Sequence, residues 1–133
     1  MLIFFRVASD QNLETTEGLQ KAAKRLQAAA GIFAHLRDHA VAALQSDPTP
    51  DLEPDTLSVV ADLMLAQAQE IVTLKAISDS MKDAIVAKLC SQCDDMFSSV
   101  MRSMQVCLLL HSQTQGGNKD GAKEAPKPIF GTI

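Results

Sequence analysis

The sequence predicts an all-α protein made of long antiparallel helices, and three observations carry that expectation. No glycine falls between Gly31 and Gly116. Pro48, Pro50 and Pro54 crowd into one stretch with Asp, Thr and Ser, so the helix breakers of the middle of the chain are gathered in a single linker. Apolar residues elsewhere recur at steps of three and four, the period of one helical face.

A first helix is expected over about 15–46. Thr15 or Thr16 caps it, and Glu17 sits near the positive end of the helix dipole. Its stripe is Leu19, Ala22, Leu26, Ala29, Phe33, Leu36, Ala40 and Leu44. At ~30 residues it would be about 45 Å long. A second helix is expected over about 54–77, opened by Pro54 at the first turn with Glu53 as a weak cap. Leu57, Val60, Met64, Ala68 and Ile71 form its stripe, while Val59, Leu63, Leu65 and Val72 add apolar surface elsewhere. A helix apolar on most sides is buried on most sides.

The third helix, about 79–112, takes its break and cap from Ser78, Asp79 and Ser80 and carries two rows. Val86, Cys90, Cys93, Phe97, Val100, Met104 and Cys107 alternate steps of four and three, as a core stripe does. Met81, Ile85 and Leu89 wind beside them at i, i+4 and i+8. One row holds a hairpin together; the second needs a partner of its own. From about 113 to 133 Gly and Pro interleave with Lys, Asp and Glu, the composition of a disordered tail.

Composition removes several functions. With 133 residues and 14.3 kDa the chain holds one domain or part of one. Twelve Lys and Arg against sixteen Asp and Glu, with no Trp or Tyr, supply neither the basic stripe nor the stacking rings of a nucleic-acid binder. Unbroken apolar runs such as Val106-Cys107-Leu108-Leu109-Leu110 reach only five residues, far short of the ~20 of a bilayer span. The apolar start, Met1-Leu2-Ile3-Phe4-Phe5, is too short for a signal-peptide core. Three cysteines are an odd number for a disulfide framework, so a cytoplasmic protein is expected.

Two constellations mimic metal sites. Cys90, Cys93, Cys107 and His111 have zinc-like spacing, but on one straight helix Cys90 and Cys107 stand about 25 Å apart. Such a set cannot converge on a tetrahedral ion with bonds of about 2.0–2.3 Å. Cys90 and Cys93 are instead read as small hydrophobes of the core stripe. His35 and His39 share a face, yet Leu36 stands where a zinc helix needs Glu, and no third ligand suggests itself. No activated nucleophile, phosphate loop or dinucleotide motif occurs. No catalytic, cofactor or metal residue is therefore assigned, and an enzyme is not expected. The row Met81–Ile85–Leu89, with Val72, stays open between intramolecular packing and a groove for an amphipathic helix.

Three segments in order, Asp47-Pro-Thr-Pro-Asp-Leu-Glu-Pro-Asp-Thr56, Leu63-Met-Leu-Ala-Gln-Ala-Gln-Glu70 and Met81-Lys-Asp-Ala-Ile-Val-Ala-Lys-Leu89, resemble the BRO domain of the ALIX family. Upstream, Asp10-Gln-Asn-Leu13, Glu17-Gly18-Leu19 and Ala22-Ala23-Lys24 continue the likeness in register. The resemblance implies a partial BRO domain over 8–112, in a tetratricopeptide-like helical layer, flanked by 1–7 and by the tail. It implies a non-enzymatic adaptor of endosomal sorting, cytoplasmic with endosomal recruitment. The implied partner is an ESCRT-III charged multivesicular body protein, whose C-terminal amphipathic helix lies in an apolar groove. The family's apolar contact positions fall on Val72, Ile85 and Leu89, with Met81 beside them. Val72 stands where an aromatic ring is usual and Thr16 where an acidic residue is usual. The family's sheet and its other helices are missing, so a fragment, truncated isoform or partial gene model is expected, one that self-associates or is only marginally stable. The rival reading is an inert structural fragment whose extra row serves only packing.

Overall fold

The computed structural model describes residues 14–40, 43, 49 and 52–115. The expectations for segment 1–7, most of the proline linker and the tail beyond 115 lie outside the described residues. Three helices form one layer: α1 (Thr16–His35), α2 (Pro54–Ser78) and α3 (Asp83–Gln115). The middle place belongs to α2, which packs on α1 along one side and on α3 along the other.

Thr15 opens α1. Its backbone is extended, and its hydroxyl accepts the Gly18 N–H at 3.1 Å, which satisfies one of the orphan donors of the first turn. Glu17 lies in that turn and pairs with Lys21 at 2.6 Å. Leu19, Ala22, Leu26 and Ala29 of the expected stripe are buried, and Phe33 and Leu36 are half-buried. The regular helix ends earlier than expected. From Leu36 to Ala40 the backbone widens into a π turn, entered where the Leu36 N–H is shared by the Ile32 and Phe33 carbonyls. In that turn Arg37 pairs with Asp38 at 2.7 Å and donates to Ser58 of α2 at 3.3 Å, anchoring the end of the helix to its neighbour.

The core lies between α1 and α2, where Leu26, Ala29 and Ala30 meet Met64 and Ala68, with Phe33, Leu63 and Ile71 packed around them. Alanines at the contact let the two axes approach closely. Pro54 begins α2 with no side-chain cap, as its position after Glu53 implies. This helix is long and apolar enough to pass for a membrane span, with a mean hydropathy of 1.3. A core helix passes the same test, and α2 uses its apolar surplus twice. Met64 and Ala68 face α1, while Val59 and Val60 line an apolar groove with Met104 and Cys107 of α3, flanked by hydrogen bonds between Thr56 and Cys107 at 3.6 Å and from Gln69 to Gln92 at 3.4 Å.

The turn after α2 corrects the expected start of α3. The Ser80 N–H donates to the Ile77 carbonyl and the Met81 N–H to the Ala76 carbonyl, each at 3.0 Å, with Ser80 at φ 50°. This paired closure is a Schellman motif. It consumes 78–81 in ending α2, so none of Ser78, Asp79 and Ser80 caps α3, which begins at Asp83. The stripe of α3 needs a second correction. Val100 is buried and Val86, Cys93, Phe97 and Cys107 are half-buried, but Cys90 is exposed and Met104 is 40% exposed. With a neighbour on one side only, residues off the line of contact stand on its rim.

Candidate partner-binding surface

The row expected to be surplus lies at the beginning of α3. Met81 and Ile85 are exposed at 43% and 40%, and Leu89 is half-buried. Val72 is half-buried and lines an open cleft of about 270 Å3 between α1 and α2, beside Leu19, Ala23, Ile71 and Lys75. That cleft is lined by residues of α1 and α2.

Thr16 and Asp79 close the same end of the layer. The Thr16 hydroxyl donates to Asp79 at 3.3 Å, and Lys75 pairs with the other carboxylate oxygen. The hydrogen bond from Lys75, and its positive charge, hold the Asp79 carboxyl below the ordinary carboxylate range, with a smaller contribution from Thr16. In the sequence Asp79 reads only as part of a helix break and cap. Its i, i+4 spacing from Lys75 is the signal by which an anchored anion could have been found.

The remaining candidates are arranged as follows. Cys90, Cys93 and Cys107 lie on the continuous α3, and Cys93 faces Thr73 and Glu70 of α2 across a shallow groove. Burial, with the Glu70 carboxylate next in effect, pushes its thiol pKa up. The rings of His35 and His39 stack with centroids 4.4 Å apart, and His39 Nδ1 lies 3.3 Å from the His35 carbonyl oxygen. Among the described residues no group of three or more His, Cys, Asp or Glu is placed to hold a metal ion.

The model of the BRO1-like domain matches residues 2–125, extending on both sides of the span that carries the motifs. The chain belongs to the BRO1-like domain family. It is 47% identical over 100 residues to programmed cell death 6-interacting protein of Mus musculus, covering 75% of this chain and 12% of that protein. It is 40% identical over 95 residues to the pH-response regulator protein palA/RIM20 of Emericella nidulans, covering 71% of this chain and 11% of that protein. Among solved structures, it is similar to the ALIX BRO1 CHMP4C complex, with a TM-score of 0.71 at 46% identity over 74% of this chain and 28% of that one. It is also similar to ALIX in complex with the SIVmac239 PYKEVTEDL late domain, with a TM-score of 0.72 at 40% identity over 90% of this chain and 15% of that one. The chain thus spans about an eighth of the length of the curated relatives it matches.

Proposed function

We propose that this chain is a non-enzymatic adaptor module of endosomal sorting that takes the C-terminal amphipathic helix of an ESCRT-III subunit. The observation that supports this reading is the likeness to the ALIX BRO1 domain solved with CHMP4C. Ile85 and Leu89 stand one turn apart on α3 and supply the apolar anchors, with Met81 extending the row toward the turn. Val72 contributes a shallow wall from α2. In helix-in-groove recognition such anchors carry most of the binding. Thr16 spends its proton on Asp79, which leaves its lone pairs and the neighbouring carboxylate to accept from a donor of the partner helix. The carboxylate supplies there the charge-assisted bond that a neutral hydroxyl lacks. The module acts in the cytoplasm and is recruited to endosomes by this contact.

The test is a titration of the full chain with a peptide of the CHMP4C C-terminal helix, followed by calorimetry. Saturable one-to-one binding is expected. Absence of heat and of any circular dichroism change on mixing would leave the inert structural layer as the better reading.

A further inference from the structure

Two thiols stand three residues apart on α3 and differ in exposure. Cys90 is exposed and Cys93 half-buried, yet both line one open groove of about 360 Å3 against Glu70, Thr73 and Leu74 of α2. Burial, followed by the charges of Glu70, Cys90 and Asp94, keeps Cys93 in its thiol form. Residues three apart on an α-helix hold their Cα atoms about 5 Å apart, inside the ~4.4–6.8 Å that a disulfide spans. Their Cβ atoms stand about 5–6 Å apart where a disulfide needs about 3.8 Å, so a bridge there must open the helical turn. Cys107 is no rival for either thiol. It stands about 21 Å beyond Cys93 along the axis and shares a hydrogen bond with Thr56 at 3.6 Å.

We propose that Cys90 and Cys93 are a reversible oxidation site, at which a hydroperoxide converts the two thiols to an intrahelical disulfide. Exposure makes Cys90 the attacking sulfur. Its thiolate attacks one oxygen of the hydroperoxide, the O–O bond breaks, and the other oxygen leaves, protonated, as an alcohol or as water. The sulfur is oxidised to a sulfenic acid. Cys93, spared direct oxidation as a half-buried thiol, then loses its proton and attacks that sulfur. The S–S bond forms, the S–O bond breaks, and the departing hydroxide takes up the proton as water. Two thiols are oxidised and one hydroperoxide is reduced. Distortion of the turn makes such a bridge easy to reduce again, as in labile, regulatory disulfides. The bridge also acts on the joint between helices. The opened turn contains Gln92, the hydrogen-bond partner of Gln69 at 3.4 Å, and draws Cys93 toward Cys90 and away from α2. Oxidation thus loosens α3 from α2 one turn past Leu89.

Treating the full chain with a slight excess of hydrogen peroxide, blocking the remaining thiols and digesting with trypsin tests this. Cleavage after Lys88 and Arg102 leaves Cys90 and Cys93 on one peptide and Cys107 on the next. The peptide 89–102 should lose two hydrogens and resist alkylation. The chain should lose helical circular dichroism worth about one turn, roughly four residues. Dithiothreitol should restore both, which it does not do for an oxidised methionine. In Cys93→Ser the sulfenic acid on Cys90 has no resolving thiol and should be trapped by dimedone several-fold more than in the wild type. Equal trapping in the two proteins would overturn the proposal, as would a bridge that leaves the helical signal unchanged. So would a chief product that links Cys90 to Cys107 or to a second chain.

Discussion

The hydroxyl of Thr16, in the first turn of α1, donates to the carboxylate of Asp79 at the end of α2 across 3.3 Å. Sixty-three positions apart in the chain, the two residues clasp the open end of the α1–α2 hairpin. The clasp has a definite pH dependence. Lys75, with Thr16 secondary, depresses the folded-state pKa of Asp79. Its contribution is therefore complete above the ordinary carboxylate pKa and is lost as pH falls through the depressed folded value. Urea melts of the wild type and of Asp79→Asn between pH 7 and 3 check this. The stability gap between them should be widest near neutrality and should close in acid. Glu17, lowered chiefly by Lys21, and Asp38, lowered chiefly by Arg37, add acid sensitivity of the same sign to both proteins.

Two glycine exchanges should both stabilise, in opposite chemical directions. A Cβ added at Gly31, inside α1, meets nothing within 4 Å, so Gly31→Ala should gain about 1 kcal/mol of helix propensity. Ser80 holds φ 50° at the position of the Schellman motif that favours glycine, so Ser80→Gly should gain about 0.5–1 kcal/mol net of its own entropy. Denaturant midpoints at neutral pH measure both. A loss of stability in Ser80→Gly would show that the serine side chain stabilises the turn by more than its strain costs.

The cysteines should separate by reactivity. Cys90 is exposed, whereas Cys93 is half-buried, with burial and the Glu70 carboxylate holding it in the thiol form. Alkylation near pH 8, followed by peptide mass spectrometry, should modify Cys90 well before Cys93. Replacing both by Ala should leave metal content at zero and helicity nearly unchanged. Stoichiometric zinc in the wild type, lost in the double variant, would contradict a structural role.

The binding surface is best probed from its more exposed member. Ile85→Asp should weaken the ESCRT-III helix about thirtyfold or more with little effect on helicity, because Ile85 is 40% exposed in the free chain. Leu89→Asp should also abolish binding, at some cost in stability, since that side chain is half-buried against the layer. Val72→Phe should deepen the wall and tighten binding. Wild-type affinity in Ile85→Asp would remove the row from the interface.

Much of the layer was legible because its cues are local. Pro54 at the first turn of α2, a threonine cap at 15 or 16 and the 3/4 stripe of α1 each depend on a few neighbouring residues. Pro54 and the cap, at Thr15, stand where expected, as does the stripe from Leu19 to Leu36, while Ala40 and Leu44 lie outside the residues whose burial is described. The turn at 79–82 was misread because Ser78, Asp79 and Ser80 suit a cap in isolation, while the paired closure onto Ala76 and Ile77 claims the same backbone. On α3 the period was right and most of the stripe is covered, but Cys90 and Met104 are not. Cys90 and Val100 share one stripe, yet only the line of contact with α2 decides which is covered. For the same reason the sequence could group Val72 with Ile85 and Leu89 but could not say that Val72 opens into a cleft shared with α1.

The middle position of α2 makes this molecule a stack rather than a ball. Its outer helices each lean on α2 and barely meet each other, so cohesion runs between neighbours only, as in a row of repeats. The buried cluster sits in the α1–α2 joint, whereas among the described residues α3 holds one buried apolar side chain, Val100. The two joints therefore differ in strength, and α3 is the leaf that peels first, opening at a lower free energy than the hairpin it leaves behind. Because Ile85 and Leu89 ride on that leaf, whatever grips them also decides how often the leaf lifts.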